Sequence, residues 1–186
     1  MIIGGEIMGK FLFFDIDGTL VGKSKMVTEK TKWAIQQARQ NGHRAFLCTG
    51  RAPTSIVGDI KNIKFDGAIC SAGGFVIVDG EYIFENFMNQ YILSEVMTLF
   101  INNHILFTLE TKKALYQTPG VNEFFDQKHQ KDCENNLELM RFFQLRRMGE
   151  NRLPIKDFNI LTTGVTKVCF IAPNKQSFYD CVPFLE

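Results

Sequence analysis

The chain has 186 residues, 45% of them hydrophobic and 18 of them Phe, which is room for one good-sized domain or two small ones with a substantial core. With 21 basic and 20 acidic residues its net charge is +1, so composition points to neither a nucleic-acid partner nor a membrane surface. No apolar stretch approaches transmembrane length, and Ile2-Ile3 is too short for a signal-peptide core.

The opening residues 1–7 match no element, and Met8-Gly9-Lys10 directly precedes the first strand, so Met8 is a candidate natural start. Phe11-Leu12-Phe13-Phe14 is a run of consecutive apolar residues, which predicts a strand buried on both faces. It runs into Asp15-Ile16-Asp17-Gly18-Thr19-Leu20, two carboxylates one residue apart and a glycine that lets the chain turn sharply. After a polar loop, Thr28 is a good N-cap, Glu29 suits the positive first turn, and Gly42 closes a predicted helix that carries Trp33, Ile35 and Ala38, with Trp33 expected to pack in the core. A second strand is expected over residues 44–48, ending at Thr49-Gly50-Arg51. A helix is expected to start near Pro53, and a third strand to cover residues 67–70. This β-α-β-α-β alternation predicts a parallel sheet.

The pattern changes after Ser71-Ala72-Gly73-Gly74. Residues 75–78 and 81–84 flank Asp79-Gly80 and predict a β-hairpin. From about Asn86 a second module begins. Ile92, Val96, Leu99 and Phe100 recur at helical spacing over residues 91–102; a strand is expected over 105–110, a helix over 137–148 and a strand over 165–172. Cys48, Cys70, Cys133, Cys169 and Cys181 show no Cys-x-x-Cys spacing and read as reduced thiols of a cytoplasmic protein. His43, His104 and His129 are scattered, which argues against zinc and for surface or loop positions. Arg141, Arg146 and Arg147 read as a solvated helix face.

The chemistry concentrates at the strand ends. Open α/β sheets bind ligands at the carboxyl ends of their strands, and adjacent parallel strands would bring Asp15 and Asp17 to the same edge as Thr49, Gly50 and Arg51. Residues two apart on an extended chain project the same way, so both acids can face one phosphoryl group. Asp15 would attack phosphorus and form an aspartyl-phosphate, while Asp17 would protonate the leaving oxygen and then deprotonate water. Gly18 permits close backbone approach, Thr49 and the amides near Gly50 can bond phosphate oxygens, and Arg51 supplies a charged fork. Mg²⁺ on Asp15 would offset repulsion between carboxylate and phosphate. An EF-hand fails on spacing, because the glycine falls at position four of a loop starting at Asp15. A P-loop reading of residues 17–24 ends in Gly22-Lys23-Ser24, but Asp17 replaces its first glycine and the helix signal starts only at Thr28. Asp15 and Asp17 as plain turn residues are the remaining alternative.

Phe14-Asp15-Ile16-Asp17-Gly18-Thr19-Leu20 is similar to the first signature of the haloacid dehalogenase superfamily of phosphohydrolases, and Phe46-Leu47-Cys48-Thr49-Gly50-Arg51 resembles its second. The intervening helix, Ser71-Ala72-Gly73-Gly74 and the hairpin resemble the Cof-type sugar-phosphatase branch. The resemblance implies an α/β fold, a Rossmann-like core in residues 1–85 with an inserted α+β cap in 86–186, and small phosphorylated metabolites as substrates. It implies Asp15 as nucleophile, Asp17 as acid/base, Thr49 as phosphate binder, and Mg²⁺ on the Asp15 carboxylate and the Asp17 backbone carbonyl. Ala72 stands where many relatives carry Asn. The family's returning lysine and its Gly-Asp-x-x-x-Asp segment have no match, and Gly149-Glu150 falls inside the expected cap. The sequence therefore reads as the N-terminal portion of such an enzyme. A naturally short protein that binds phosphorylated ligands without turnover and a P-loop nucleotide binder are the alternatives. The family's strand order would leave the first strand with a free, apolar edge.

Overall fold

The computed structural model describes residues 9–22, 26–133 and 136–184. The candidate start at Met8 and the Lys23-Ser24 pair of the P-loop reading lie outside the described residues.

The first sheet is five-stranded in the order β1-β2-β3-β4-β5. Strands β1 (Phe11–Phe14), β2 (Arg44–Cys48) and β3 (Gly67–Cys70) run parallel, and β4 (Phe75–Val78) and β5 (Glu81–Glu85) add an antiparallel hairpin. The hairpin turn is Asp79-Gly80, both at positive φ (49° and 87°), the mirror-image turn whose twist matches paired strands. Helix α1 (Glu29–Gln40) starts where Thr28 accepts a hydrogen bond from the Thr31 amide, as the sequence predicts, and joins β1 to β2.

One carboxylate ties α1 to β2. Asp66 accepts a fork from Arg39 of α1 at 2.9 and 2.7 Å and a third bond from the Ala45 amide of β2 at 2.7 Å. The Arg39 fork, with the Ala45 amide, holds the Asp66 carboxyl below its ordinary value against the cost of burial. Phe14 then pairs with Leu47, and Cys48 with Ile69, so the chain after β1 and the chain after β2 leave the sheet at the same edge. Beneath them Ile16, Leu20, Val21, Ile35, Leu47 and Phe75 form a buried cluster.

Three expectations are corrected here. Strand β1 is not buried on both faces: it is the first strand of the sheet, with Phe11 63% and Phe13 57% exposed, and Phe13 stacks on Phe46 at 5.4 Å. Trp33 is 62% exposed, and Ile35 takes the core position of α1 instead. No long helix follows Pro53. A 3₁₀ turn at Pro53–Ser55 and the single-turn helix α2 (Asp59–Asn62) are separated by Gly58 at φ +66°, which breaks the run.

The second sheet is four-stranded, ordered β8-β7-β6-β9, from β6 (Leu106–Thr111), β7 (Leu115–Gln117), β8 (Arg152–Pro154) and β9 (Val165–Ile171). Helices α3 (Gln90–Asn102), α4 (Val121–Asp132), α5 (Leu137–Gly149) and α6 (Lys175–Tyr179) accompany it. Asn89 caps α3 by accepting from the Tyr91 and Ile92 amides. Leu93 and Phe100 are buried and Val96 and Leu99 pack against the same core, as the spacing predicts for three of its four residues, while Leu93 takes the place expected of Ile92, which is exposed. Strands β7 and β8 and helices α4 and α6 are additional to the elements read from sequence; at three residues each, the two strands are too short for an alternation pattern. Leu93, Phe100, Ile105, Phe107, Leu109 and Val165 make this half's core. Among the described residues no helix is long and apolar enough to cross a membrane, and none of the five cysteines is in a disulfide.

His129 corrects another expectation: it lies in α4, half-buried, stacked on Phe143 with ring centroids 3.4 Å apart. Arg146 and Arg147 are paired, not simply solvated. Arg146 bonds Glu150 at 2.6 Å and Arg147 bonds Asp126 at 2.8 Å.

Candidate active site

Strand β1 ends at Phe14, and the next residues close a tight turn. The Leu20 amide donates to the Asp15 carbonyl at 3.2 Å, and the Thr19 and Val21 amides to Ile16 at 3.4 and 3.0 Å. Gly18 sits at φ +93°, a conformation costly to any side chain. Ile16 is fully buried while Asp15, Asp17, Gly18 and Thr19 are exposed, so one apolar anchor holds a rim of polar residues at the sheet edge. The acids are thus presented from a turn and not from extended strand, as the sequence argument assumed.

The segment after β2 folds onto the same edge. The Thr49 amide donates to Ile69 of β3 at 2.9 Å, and the buried Thr49 hydroxyl accepts from the Arg51 amide at 3.1 Å. That leaves the Thr49 O–H to donate. The Arg51 carbonyl accepts from the Ser71 amide at 2.8 Å, and the Thr49 carbonyl from Ala72 at 3.3 Å. Ser71 and Ala72 both adopt positive φ (50° and 55°), so the chain after β3 coils tightly against the Thr49-Gly50-Arg51 turn.

Arg51 ties the two segments together. Its Nε and Nη2 donate to the two carboxylate oxygens of Asp17, each at 2.9 Å. The Arg51 side chain is 8% exposed and that of Asp17 45%. Phe142 of α5 lies under the guanidinium, 5.8 Å from carbon to ring centre, and among the described residues the buried Nη1 has no hydrogen-bond partner. The geometry therefore brings Asp17 and Arg51 into contact and sets Asp15, Gly18, Thr49 and Gly50 at the same strand ends.

Sequence reasoning missed the contribution of the second sheet. Glu110 of β6 accepts from the Ser71 hydroxyl at 3.4 Å, from Lys167 of β9 at 3.0 Å and from the Cys169 thiol at 3.3 Å. Lys167 also donates to the Gly50 carbonyl. A glutamate closing the mainly apolar segment 105–109, interrupted only by Thr108, was the available signal. Cys70, at the end of β3, is no nucleophile at neutral pH, because burial pushes its thiol up to about 12.

The donors suit a hard cation better than a soft one. Mg²⁺ binds through one or two carboxylates together with phosphate oxygens, and the exposed Asp15 carboxylate with the neighbouring Asp17 residue offers oxygen donors of that kind. Among the described residues no group of three or more His, Cys, Asp or Glu stands together as a self-sufficient metal cage.

The family model for haloacid dehalogenase-like hydrolases matches residues 12–176. The chain belongs to the haloacid dehalogenase-like hydrolase family. Among curated relatives it is similar to Bacillus subtilis YkrA, 30% identical over 77 residues, 41% of this chain and 30% of that protein. Phosphatase YwpJ of Bacillus subtilis is 23% identical over 119 residues, 63% of this chain and 42% of that one. Among solved structures, a haloacid dehalogenase-like hydrolase from B. subtilis superposes with a TM-score of 0.77 at 15% identity, covering 95% of this chain and 66% of the other. The subclass IIB sugar phosphatase BT4131 gives a TM-score of 0.65 at 17% identity, covering 94% and 62%. The matched stretches thus span less than half the length of these two curated relatives and under two thirds of these solved chains. The haloacid dehalogenase resemblance read from the two signatures, and the Rossmann-like α/β fold it implied, are borne out. A P-loop is not: α1 opens at Glu29, well past the Gly-Lys-Ser where a P-loop helix begins.

Proposed function

We propose that this protein is a cytoplasmic, Mg²⁺-dependent phosphatase of small phosphorylated metabolites, with residues 1–85 as the N-terminal part of its core and 86–186 as its cap. The two-pronged Arg51–Asp17 contact carries the reading, because it gathers the acids after β1 and the turn after β2 at one sheet edge. The family, the phosphatase name of one relative and the sugar-phosphatase fold of another support it. The free thiols support a reducing compartment.

In this reading a carboxylate oxygen of Asp15 attacks phosphorus, the bond to the leaving oxygen breaks, and Asp17 delivers a proton to that oxygen. Asp17, now a carboxylate, takes a proton from water as the water oxygen attacks the aspartyl-phosphate and releases phosphate and Asp15. The Thr49 hydroxyl and the amides around Gly50 hold the phosphoryl oxygens, and Gly18 leaves room for them. Asp15 and the Asp17 carbonyl would hold Mg²⁺, which when bound supplies neutralisation of phosphoryl charge. Asp17 takes up its proton on an oxygen freed from the Arg51 fork, and the remaining prong orients the acid/base group.

The grip also supports a second reading, in which Asp17 stays locked and the chain binds phosphorylated ligands without turning them over. One assay separates the two. Hydrolysis of an aryl phosphate in Mg²⁺, lost by about 10³-fold or more in Asp15→Asn, is the result the phosphatase reading expects. Full turnover in Asp15→Asn overturns the mechanism, and phosphate binding without wild-type turnover favours the binder.

A further inference from the structure

Among the described residues, two cations reach the Thr49-Gly50-Arg51 turn in different ways. Arg51 belongs to it, and its Nε and Nη2 are committed to Asp17. Lys167 comes from β9 of the second sheet and donates to the Gly50 carbonyl. We propose that Lys167 is a further phosphate-binding residue, an ammonium that the second sheet lowers onto the Gly50 turn to meet phosphoryl oxygens held there. The inference rests on the phosphatase reading of that turn.

The geometry behind it is a built mount. Lys167 and Glu110 are cross-strand partners in the β6–β9 ladder, which places their side chains on one face of the sheet. The Glu110 side chain is 10% exposed and holds the ammonium at 3.0 Å, while the Lys167 side chain keeps 30% exposure. Glu110 is itself fixed by the Ser71 hydroxyl, and Ser71 is bonded through its amide to Arg51. The lysine is therefore anchored to the turn it faces by a chain of contacts that does not pass through any ligand. An ammonium has three N–H donors. Gly50 and Glu110 take two directions, and the remaining donor and the exposure are what an incoming anion needs.

Charge bookkeeping supports the assignment. Asp17 neutralises Arg51, and Glu110 neutralises Lys167, which leaves Asp15 as the excess charge among these five residues. A phosphate group entering beside Asp15 meets repulsion that Mg²⁺, when bound there, would offset, and a cation that can turn toward it adds to that attraction. Arg51 Nε and Nη2 can do so only by abandoning a two-bond fork, and Nη1 is buried beside the Phe142 ring. Lys167 need give up only a neutral carbonyl, while staying beside Glu110.

Titration of the 186-residue chain with inorganic phosphate in Mg²⁺ buffer, followed by calorimetry, tests this. Lys167→Gln keeps an N–H donor on a shorter side chain but has no charge; it is expected to weaken phosphate binding by about tenfold or more. Lys167→Arg, which restores the charge, is expected to stay within about threefold of wild type. Thr49→Ala reports on the underlying site. Loss of binding in Thr49→Ala with wild-type affinity in a folded Lys167→Gln overturns the lysine assignment and leaves the site reading standing. No phosphate binding by the wild-type chain overturns both. Should Lys167→Gln lose its melting transition, Lys167→Arg decides alone: a folded arginine variant that has lost affinity by tenfold overturns the proposal.

Discussion

The guanidinium of Arg51 holds both carboxylate oxygens of Asp17, 2.9 Å away on each prong, from a side chain that is itself buried. The fork is planar and fits a carboxylate in one orientation, so Arg51 fixes the direction of Asp17 as well as its charge. Arg51→Lys keeps the charge and loses the second prong. The expected outcome is a fall of about tenfold or more in kcat/KM for an aryl phosphate, with the melting temperature lowered only slightly. Wild-type kcat/KM in that variant would show that the fork does not orient the acid.

Glu150 offers a test of stability against pH. Its side chain is 1% exposed and takes bonds of 2.6 Å from both Arg146 and Arg152. Burial alone would raise its pKa, but the two guanidinium groups outweigh it and hold the carboxyl below the ordinary value of 4.5. A depressed folded-state pKa stabilises the fold above the unfolded value and loses that contribution as pH falls through the folded one. Glu150→Gln is expected to cost about 3 kcal/mol at pH 7, and the gap to wild type should narrow below about pH 4. Urea midpoints at pH 7 and pH 3.5 read both.

Gly67 opens β3 where no side chain fits. A Cβ there would stand 2.1 Å from the Ile77 carbonyl and 2.9 Å from the Phe46 ring. One of those neighbours is backbone of the paired strand and cannot move without breaking the sheet. Gly67→Ala is expected to destabilise by about 3 kcal/mol, seen as a lower melting temperature.

Ala72 carries the opposite prediction. It sits at φ 55°, ψ 39°, in the left-handed region that L-alanine adopts at a cost of about 1 kcal/mol. Ala72→Gly removes that strain, and Ala72→Asn reduces it, since Asn tolerates the region. Both are expected to raise the denaturation midpoint; a drop in either would place the residue's methyl group in a contact that matters more than its backbone.

What could be read in advance depended on how local the cause was. Thr28 capping its own helix and Asp79-Gly80 closing its own hairpin act over a few residues, and both stand where the sequence put them. The Asp15/Asp17 and Thr49-Gly50-Arg51 segments met because parallel neighbours share an edge, a rule of topology that needs only strand order. The exposure of Trp33 and Phe11 was not legible, because burial depends on what packs against a face, and that lies far along the chain. Lys167 and Glu110 were hidden for a similar reason. Their pairing follows from the register of β6 on β9, with an irregularity at Glu110/Thr111 that shifts the ladder, and nothing in either segment alone announces it.

Phe142 belongs to α5, which packs on the Pro53–Ser55 turn, and its ring forms one wall of the Arg51 pocket. Lifting that helix would strip the wall, admit water to Nη1 and weaken the fork through dielectric screening. The hydration of one guanidinium is thereby linked to the seating of a helix from the other half of the fold.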